Sequence, residues 1–325
     1  MRLVATPAGR GVVVLSLGLA LAALLQAEGL RKQAQIQPAG RERDFALAVT
    51  RPLVSVSHAL RLTAPRHELQ VALGRQDEDR IDTRVHLTLP PPAGPLPRQP
   101  RKRPEPRRKP LFTRAHPLRV WVAGDSLAQV PGQALERVGG AVDVVGVESR
   151  LSTGLARPDL YNWFTRVQQA PAELRPNVAV FSFGADDAHG FMAGVPGGRK
   201  VGALGSASWN AEYRRRADGV TRELNALGIY VVWLGLPIPD GSGFKRSFPL
   251  VNAVLASVAR AHPKTTTYVD TWHLLDDAHG RYTAYLRVHG TLTLMRLPDG
   301  VHYTAAAGDL IASQVLTQLR RVYRF

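Results

Sequence analysis

Residues 118–127 read LRVWVAGDSL. The apolar run Leu118–Ala123 shows no polar alternation, so it reads as a strand buried on both faces of a parallel sheet. It stops on Gly124, Asp125, Ser126 and Leu127. A glycine, a carboxylate and a hydroxyl at the end of a buried strand suit a tight turn into a helix. Ser126, at the mouth of that helix, gains from the helix dipole and from free N–H groups. Three roles for Ser126 stay open on this stretch alone: turn residue, helix cap and nucleophile.

Working outward, similar runs recur at Val142–Val147, Val178–Phe183, Ile229–Leu234 and Thr266–Val269. Helical stretches lie between them, among them Asn210–Ala226, closed by Gly228, then Leu250–Ala261 and a last helix from Ala305 to Tyr323. This alternation predicts a three-layer α/β/α, flavodoxin-like domain with about five parallel strands over residues 114–325.

Ahead of it, Gly11–Ala27 is an uncharged run of 17 residues. As a helix it spans roughly 25 Å, near the lower limit for crossing a bilayer. Residues 1–28 therefore read as a signal anchor or a cleaved signal peptide. Leu25-Gln26-Ala27 is a poor cleavage site, which favours retention and a cell-membrane protein with an extracytoplasmic C-terminal domain. Residues 29–89 hold helix-like pieces at Asp44–His58 and Arg66–Arg75, broken by Pro52 and Pro65. They read as a membrane-proximal helical stalk. Residues 90–113 form a Pro/basic-rich linker. Nine prolines and seven Lys/Arg fall within Pro90–Pro110, which excludes helix or sheet there.

The chain has 325 residues, 45% of them hydrophobic, with a formal net charge of +16 and no cysteine. Disulfides and thiolate metal sites are excluded. The charge points to an anionic neighbour; the basic linker reads either as a plain solvated spacer or as a patch gripping an anionic envelope polymer or lipid. Export and the clustering of charge in the linker speak against nucleic acid.

In a doubly wound sheet, ligands bind beyond the carboxyl ends of the strands. The polar residues there are Gly124-Asp125-Ser126, then Glu148 to Gly154, then Gly184-Ala185-Asp186-Asp187, and, just before the last helix, Asp299-Gly300-Val301-His302. Serine needs a base within hydrogen-bond reach, and the base needs a partner to fix its tautomer. His302 can be the base and Asp299 the partner. Gly154 would let a backbone N–H approach a substrate with no side chain in the way. GDSL at 124–127, the Gly154 turn, GADD at 184–187 and DGVH at 299–302 resemble, in order and spacing, the four blocks of the SGNH (GDSL-type) hydrolases. The likeness is closest to a bacterial branch with an N-terminal membrane segment. The resemblance implies ester hydrolysis, often of O-acetyl groups on glycans, without metal or organic cofactor. It implies Ser126 as nucleophile, His302 as base and Asp299 as its orienter, with the N–H groups of Ser126 and Gly154 in the oxyanion hole.

One position departs from that pattern. The family carries an asparagine where this chain has Asp186, and an ionised carboxylate donates no hydrogen bond to an oxyanion. Asp186 is protonated beside Asp125 and Asp187, or turned away, or the site binds without cutting. Asp125, Asp187 and His189 are candidates to line the site. Trp209, Trp233 and Trp272 are candidates for a sugar platform, with Trp233 better placed in the core. His273 reads as exposed or structural, and the Gly197–Lys200 stretch as a flap. His262, His279 and His289 lack metal-ligand spacing. The expected protein is an esterase acting by hydrolysis or transfer on an acylated envelope glycan, or else a silent glycan-binding scaffold.

Overall fold

A computed structural model describes residues 6–37, 41–73, 82–87, 109–138, 140–188 and 191–325. The chain divides into two compact units, residues 1–82 and 83–325.

The described residues of the first unit hold helices α1 (Pro7–Leu25), α2 (Ala27–Ile36), α3 (Arg41–Ala59) and α4 (Ala64–Ala72). Thr6 caps α1 by accepting from the Gly9 N–H, with Pro7 in the first turn where its missing N–H costs nothing. Its 19 residues make α1 long and apolar enough to cross a membrane. Pro52 does not break α3, contrary to the sequence reading, but lies inside it. A proline there removes one helical hydrogen bond. Packing of α3 along α2 holds the helix together across the gap, and Thr50 and Ser55 hydroxyls add bonds to carbonyls one turn back, on Ala46 and Arg51.

The second unit is built on β1 (Leu118–Gly124), β2 (Val142–Ser149), β3 (Val178–Ser182), β4 (Tyr230–Leu234) and β5 (Thr266–Val269). All neighbouring pairs are parallel, in the order β2-β1-β3-β4-β5. Helices α5 (Gln129–Val138) and α11 (Ala305–Leu319) pack together on one face. Helices α6 (Trp163–Leu174), α7 (Ala207–Ala226) and α9 (Phe248–Ala261) pack in series on the other. Short helices α8 (Ser242–Lys245) and α10 (Thr271–Leu274) follow β4 and β5. The central strands are apolar because both faces are covered: β1, β3 and β4 are buried almost without interruption, whereas the edge strand β2 is half-buried along its length. Trp121, Phe181, Phe183, Trp163 and Trp233 form one aromatic cluster across it.

Two features lie outside the expected plan. A hairpin, β6 (Tyr285–Val288) and β7 (Thr291–Leu294), precedes the Asp299 loop. The compact unit also begins at residue 83, not at 114. Val85 and Leu87 pack against the core, Asn162 and Gln168 donate to the carbonyls of Arg84 and His86, and Leu87 fills the space beside Gly219 of α7. At the other end of the expected linker, Phe112 and Arg324 are joined by a backbone hydrogen bond of 2.7 Å, and Arg324 donates to Pro110. The alternation of Val85 and Leu87 with polar neighbours is the signal that could have placed the boundary earlier. The Pro/Arg-rich residues 90–108 lie outside the described residues.

The exits of three strands are locked to one another. Arg150 donates to the Gly124 carbonyl, and Asp125 donates through its N–H to Ser182. Gly124 has φ +155°, and a Cβ there would lie 1.9 Å from the Ser182 carbonyl oxygen. Both strands are buried, so neither backbone can withdraw. Gly124→Ala is therefore expected to cost about 2 kcal/mol or more of folding stability. Urea unfolding measures it, and a midpoint unchanged from the parent would contradict this packing.

Candidate functional site

Gly124 ends β1, and Asp125 caps the 3-10 turn Ser126–Ala128 by accepting from the Leu127 N–H at 3.0 Å. Its second oxygen accepts from the N–H groups of Gly184 and Ala185, both at 3.1 Å. Asp125 thus binds the serine turn to the turn after β3 from beneath. It is fully buried. Burial, and next the charge of Asp186, push its carboxyl well above the ordinary value, with Asp187 adding to the rise.

Asp299 and His302 sit in the loop between β7 and α11. One Asp299 oxygen accepts from the N–H groups of Val301 and His302, at 2.8 and 2.9 Å. The other lies 2.6 Å from Nδ1 of His302, and Nε2 of His302 lies 2.8 Å from Oγ of Ser126. With Asp299 accepting at Nδ1, the imidazole proton belongs there, which leaves Nε2 free to accept from the serine hydroxyl. Partial burial pushes the Asp299 carboxyl upward, but the two backbone N–H groups and His302 outweigh it and hold it below the usual range. Gly300 turns this loop at φ +71°, and a Cβ there would run into Asp240. Buried Arg296 fastens the loop to the segment after β4: it donates to the carbonyls of Val301 and Ile238 and lies over the rings of Tyr282 and Tyr303.

The third component is the loop after β2. Thr153 donates to the Arg150 carbonyl and accepts from the Trp163 indole, and Ser152 takes a left-handed conformation at φ +57°. Gly154 is buried. Among the described residues no protein acceptor takes its N–H, nor that of Ser126. A buried N–H without a partner is rare, and that of Gly154 suits a ligand oxygen. The reason for glycine at 154 differs from the expected one. A Cβ there would lie 2.2 Å from an oxygen of Asp187, so the space is needed by this protein's own carboxylate.

Asp187 is fully buried. It accepts from the N–H groups of Leu155 and Ala156 and from the Tyr213 hydroxyl, each at 2.8 Å. Burial and the neighbouring Asp187 push Tyr213 well above its ordinary value, so the phenol remains a donor. Arg216, one helical turn beyond Tyr213, donates to the carbonyls of Leu155, Ala156 and Ala193.

Asp125 and Asp187, expected to line the site, thus act from below it. Asp186 is half-buried at the surface between them. His189 lies outside the described residues. Trp209 and Trp233 are fully buried and belong to the core. The apolar surroundings of Trp233 in β4 placed it in the core from sequence; Trp209 was expected on a sugar platform, and its i, i+4 spacing to Tyr213 on α7 is the signal that could have placed it in the core. His273 is exposed and paired with Asp270 at 2.8 Å, and His262 is paired with Asp218 at 2.7 Å. Tyr213, Arg216 and Arg296 were missed, because nothing in sequence spacing ties a helix side chain to a loop carbonyl far away in the chain.

Proton transfer from Oγ of Ser126 to Nε2 of His302 is within reach of this arrangement, with Asp299 facing the imidazolium that results.

No curated protein matches the chain. Among solved structures it is similar to TesA, at 21% identity over 63% of this chain and 99% of that one, with a TM-score of 0.43. It is also similar to a GDSL-like lipase from Bacteroides thetaiotaomicron, at 14% identity over 63% and 88%, with a TM-score of 0.44. A third is a member of the lipolytic protein G-D-S-L family from Veillonella parvula, at 13% identity over 62% and 98%, with a TM-score of 0.43. Residues 119–318, which carry the sheet and all the residues of the site, match the model of one family, and the chain belongs to it: the family described as protein of unknown function (DUF459).

Proposed function

We propose that the second unit is an SGNH-type serine esterase. The observation that carries this is the continuous hydrogen-bonded chain from Ser126 Oγ through His302 to Asp299. In the reaction, His302 takes the serine proton as Oγ bonds to the ester carbonyl carbon. The N–H groups of Ser126 and Gly154 donate to the developing oxyanion. His302 returns the proton to the leaving alcohol as its bond to the acyl carbon breaks. Water, deprotonated by His302, then attacks the acyl-serine and releases the acid, restoring the Ser126 hydroxyl. An acceptor sugar hydroxyl in place of water gives acyl transfer with the same residues.

The sequence resemblance supports an O-acetyl ester on an envelope glycan as the substrate. The apolar helix α1 supports a membrane anchor with the esterase unit outside the cytoplasm. The basic residues between 90 and 108 support contact with an anionic envelope polymer.

Asp186 favours a second reading, a glycan-binding protein that does not cut. A carboxylate at that position offers no side-chain N–H to the oxyanion, and loss of one such donor costs about 10²–10³ in rate.

The detergent-solubilised full chain is expected to hydrolyse p-nitrophenyl acetate, and Ser126→Ala is expected to lower kcat by roughly 10³-fold or more. Turnover that survives Ser126→Ala unchanged, or none in the parent, would favour the binding protein. Asp186→Asn restores an amide donor and is expected to raise kcat by about 10-fold or more, up to the worth of one donor. An equal or lower kcat would show that Asp186 does not hinder the site.

A further inference from the structure

We infer that Asp187 is the positioning residue of the oxyanion loop: together with Tyr213 and Arg216 it fixes residues 154–156 so that the Gly154 N–H faces the reacting carbonyl oxygen. The inference rests on the esterase reading and deepens it.

The loop is gripped from two sides at the same two residues. On the N–H side, one Asp187 oxygen accepts from Leu155 and the other from Ala156. On the carbonyl side, Arg216 donates to Leu155 at 2.7 Å and to Ala156 at 3.2 Å. Asp187, Tyr213 and Arg216 are all fully buried, so water does not compete for these bonds. With the next two N–H groups taken by the carboxylate, the Gly154 N–H is the first in the series left for a ligand. Asp187 also occupies the volume that a side chain at 154 would need. Carboxylate and glycine are therefore one device, and neither works with an ordinary residue at the other position.

The chemistry calls for aspartate in particular. Two N–H groups and one hydroxyl converge on this group, and a carboxylate accepts at both oxygens. Asparagine has nearly the same volume but only one acceptor oxygen, so its amide NH2 would face one of the two loop N–H groups. The loop would move off that contact and carry the Gly154 N–H with it. A donor displaced by a fraction of an ångström loses most of its value to a transition state, which is where the oxyanion carries its charge.

The test uses the full chain and an alkylphosphonate ester that labels the active serine. As Oγ bonds to phosphorus and the leaving alcohol departs, the phosphoryl oxygen gains negative charge, so labelling draws on the oxyanion donors. Asp187→Asn is expected to slow labelling and lower kcat on p-nitrophenyl acetate by about 10²-fold, the worth of one donor, with KM nearly unchanged. Tyr213→Phe removes one of the bonds holding Asp187 and is expected to shift both rates in the same direction by less. If Asp187→Asn does not fold, the Tyr213→Phe result decides alone. Parent-like labelling and kcat in folded Asp187→Asn, or in Tyr213→Phe when it alone decides, would overturn the inference and leave the esterase reading standing. So would a variant that changes KM and not kcat. A parent protein that the phosphonate does not label would instead overturn the esterase reading, and the inference with it.

Discussion

The contact between Gly124 and the Ser182 carbonyl sets the geometry of everything above the sheet. Strands β1 and β3 leave the sheet side by side, closer than a side chain at 124 permits. Asp125 follows at once and converts that closeness into connection, with its N–H on Ser182 and its carboxylate on Leu127, Gly184 and Ala185. The direction in which Ser126 points is thus fixed by buried backbone on both sides, without help from Ser126 itself. A hydroxyl on an exposed loop would sample several rotamers, whereas one on this turn starts within hydrogen-bond distance of a base.

Four aspartates stand around the serine, and their surroundings give them different tasks. Asp125 and Asp187 are sealed from water and saturated by N–H and O–H donors. They hold loops. Asp299 is about half exposed, and its two backbone donors and the imidazole keep it ionised, as an orienting and charge-balancing group requires. Asp186 remains at the surface. The same residue type therefore serves as internal staple and, in the proposed reaction, as partner of a base, and burial with hydrogen bonding decides which.

Much of this was legible in the sequence. Apolar, β-branched runs placed β1 to β5 within two residues at each end, because a strand largely covered on both faces has few polar positions to confuse the pattern. Ser126, Asp299 and His302 were legible because the serine turn and the Asp-x-x-His loop are local motifs, placed by topology at one rim. The hairpin β6–β7 was not, since its outward residues Tyr285, Leu292 and Leu294 are apolar and exposed, which hides the in–out alternation. The start of the unit at residue 83 was masked by the proline-rich stretch that follows it. The clamp on Leu155 and Ala156 was invisible for another reason. Its donors and acceptors come from α7 and from the turn after β3, and backbone carbonyls leave no trace in side-chain identity. Gly154 was found as a glycine but for a different reason, because an empty Cβ position looks the same in sequence whether a substrate or a carboxylate fills it.

The carboxylates also bear on how an oxyanion could form here at all. Asp125, Asp186 and Asp187 are near enough for each of the last two to raise the carboxyl of the first. Three full negative charges beneath a developing fourth would oppose it strongly at low local dielectric. Burial works against that outcome. It favours the neutral form of Asp125, and every step upward in that carboxyl's affinity for a proton removes charge from directly under the serine turn. The donors on Asp187 spread its charge over three hydrogen bonds. Asp186 stands beside them half-buried, and its charge adds to the rise at Asp125. In the proposed reaction an amide at 186 would remove that charge and leave the bonds of Asp125 and Asp187 intact.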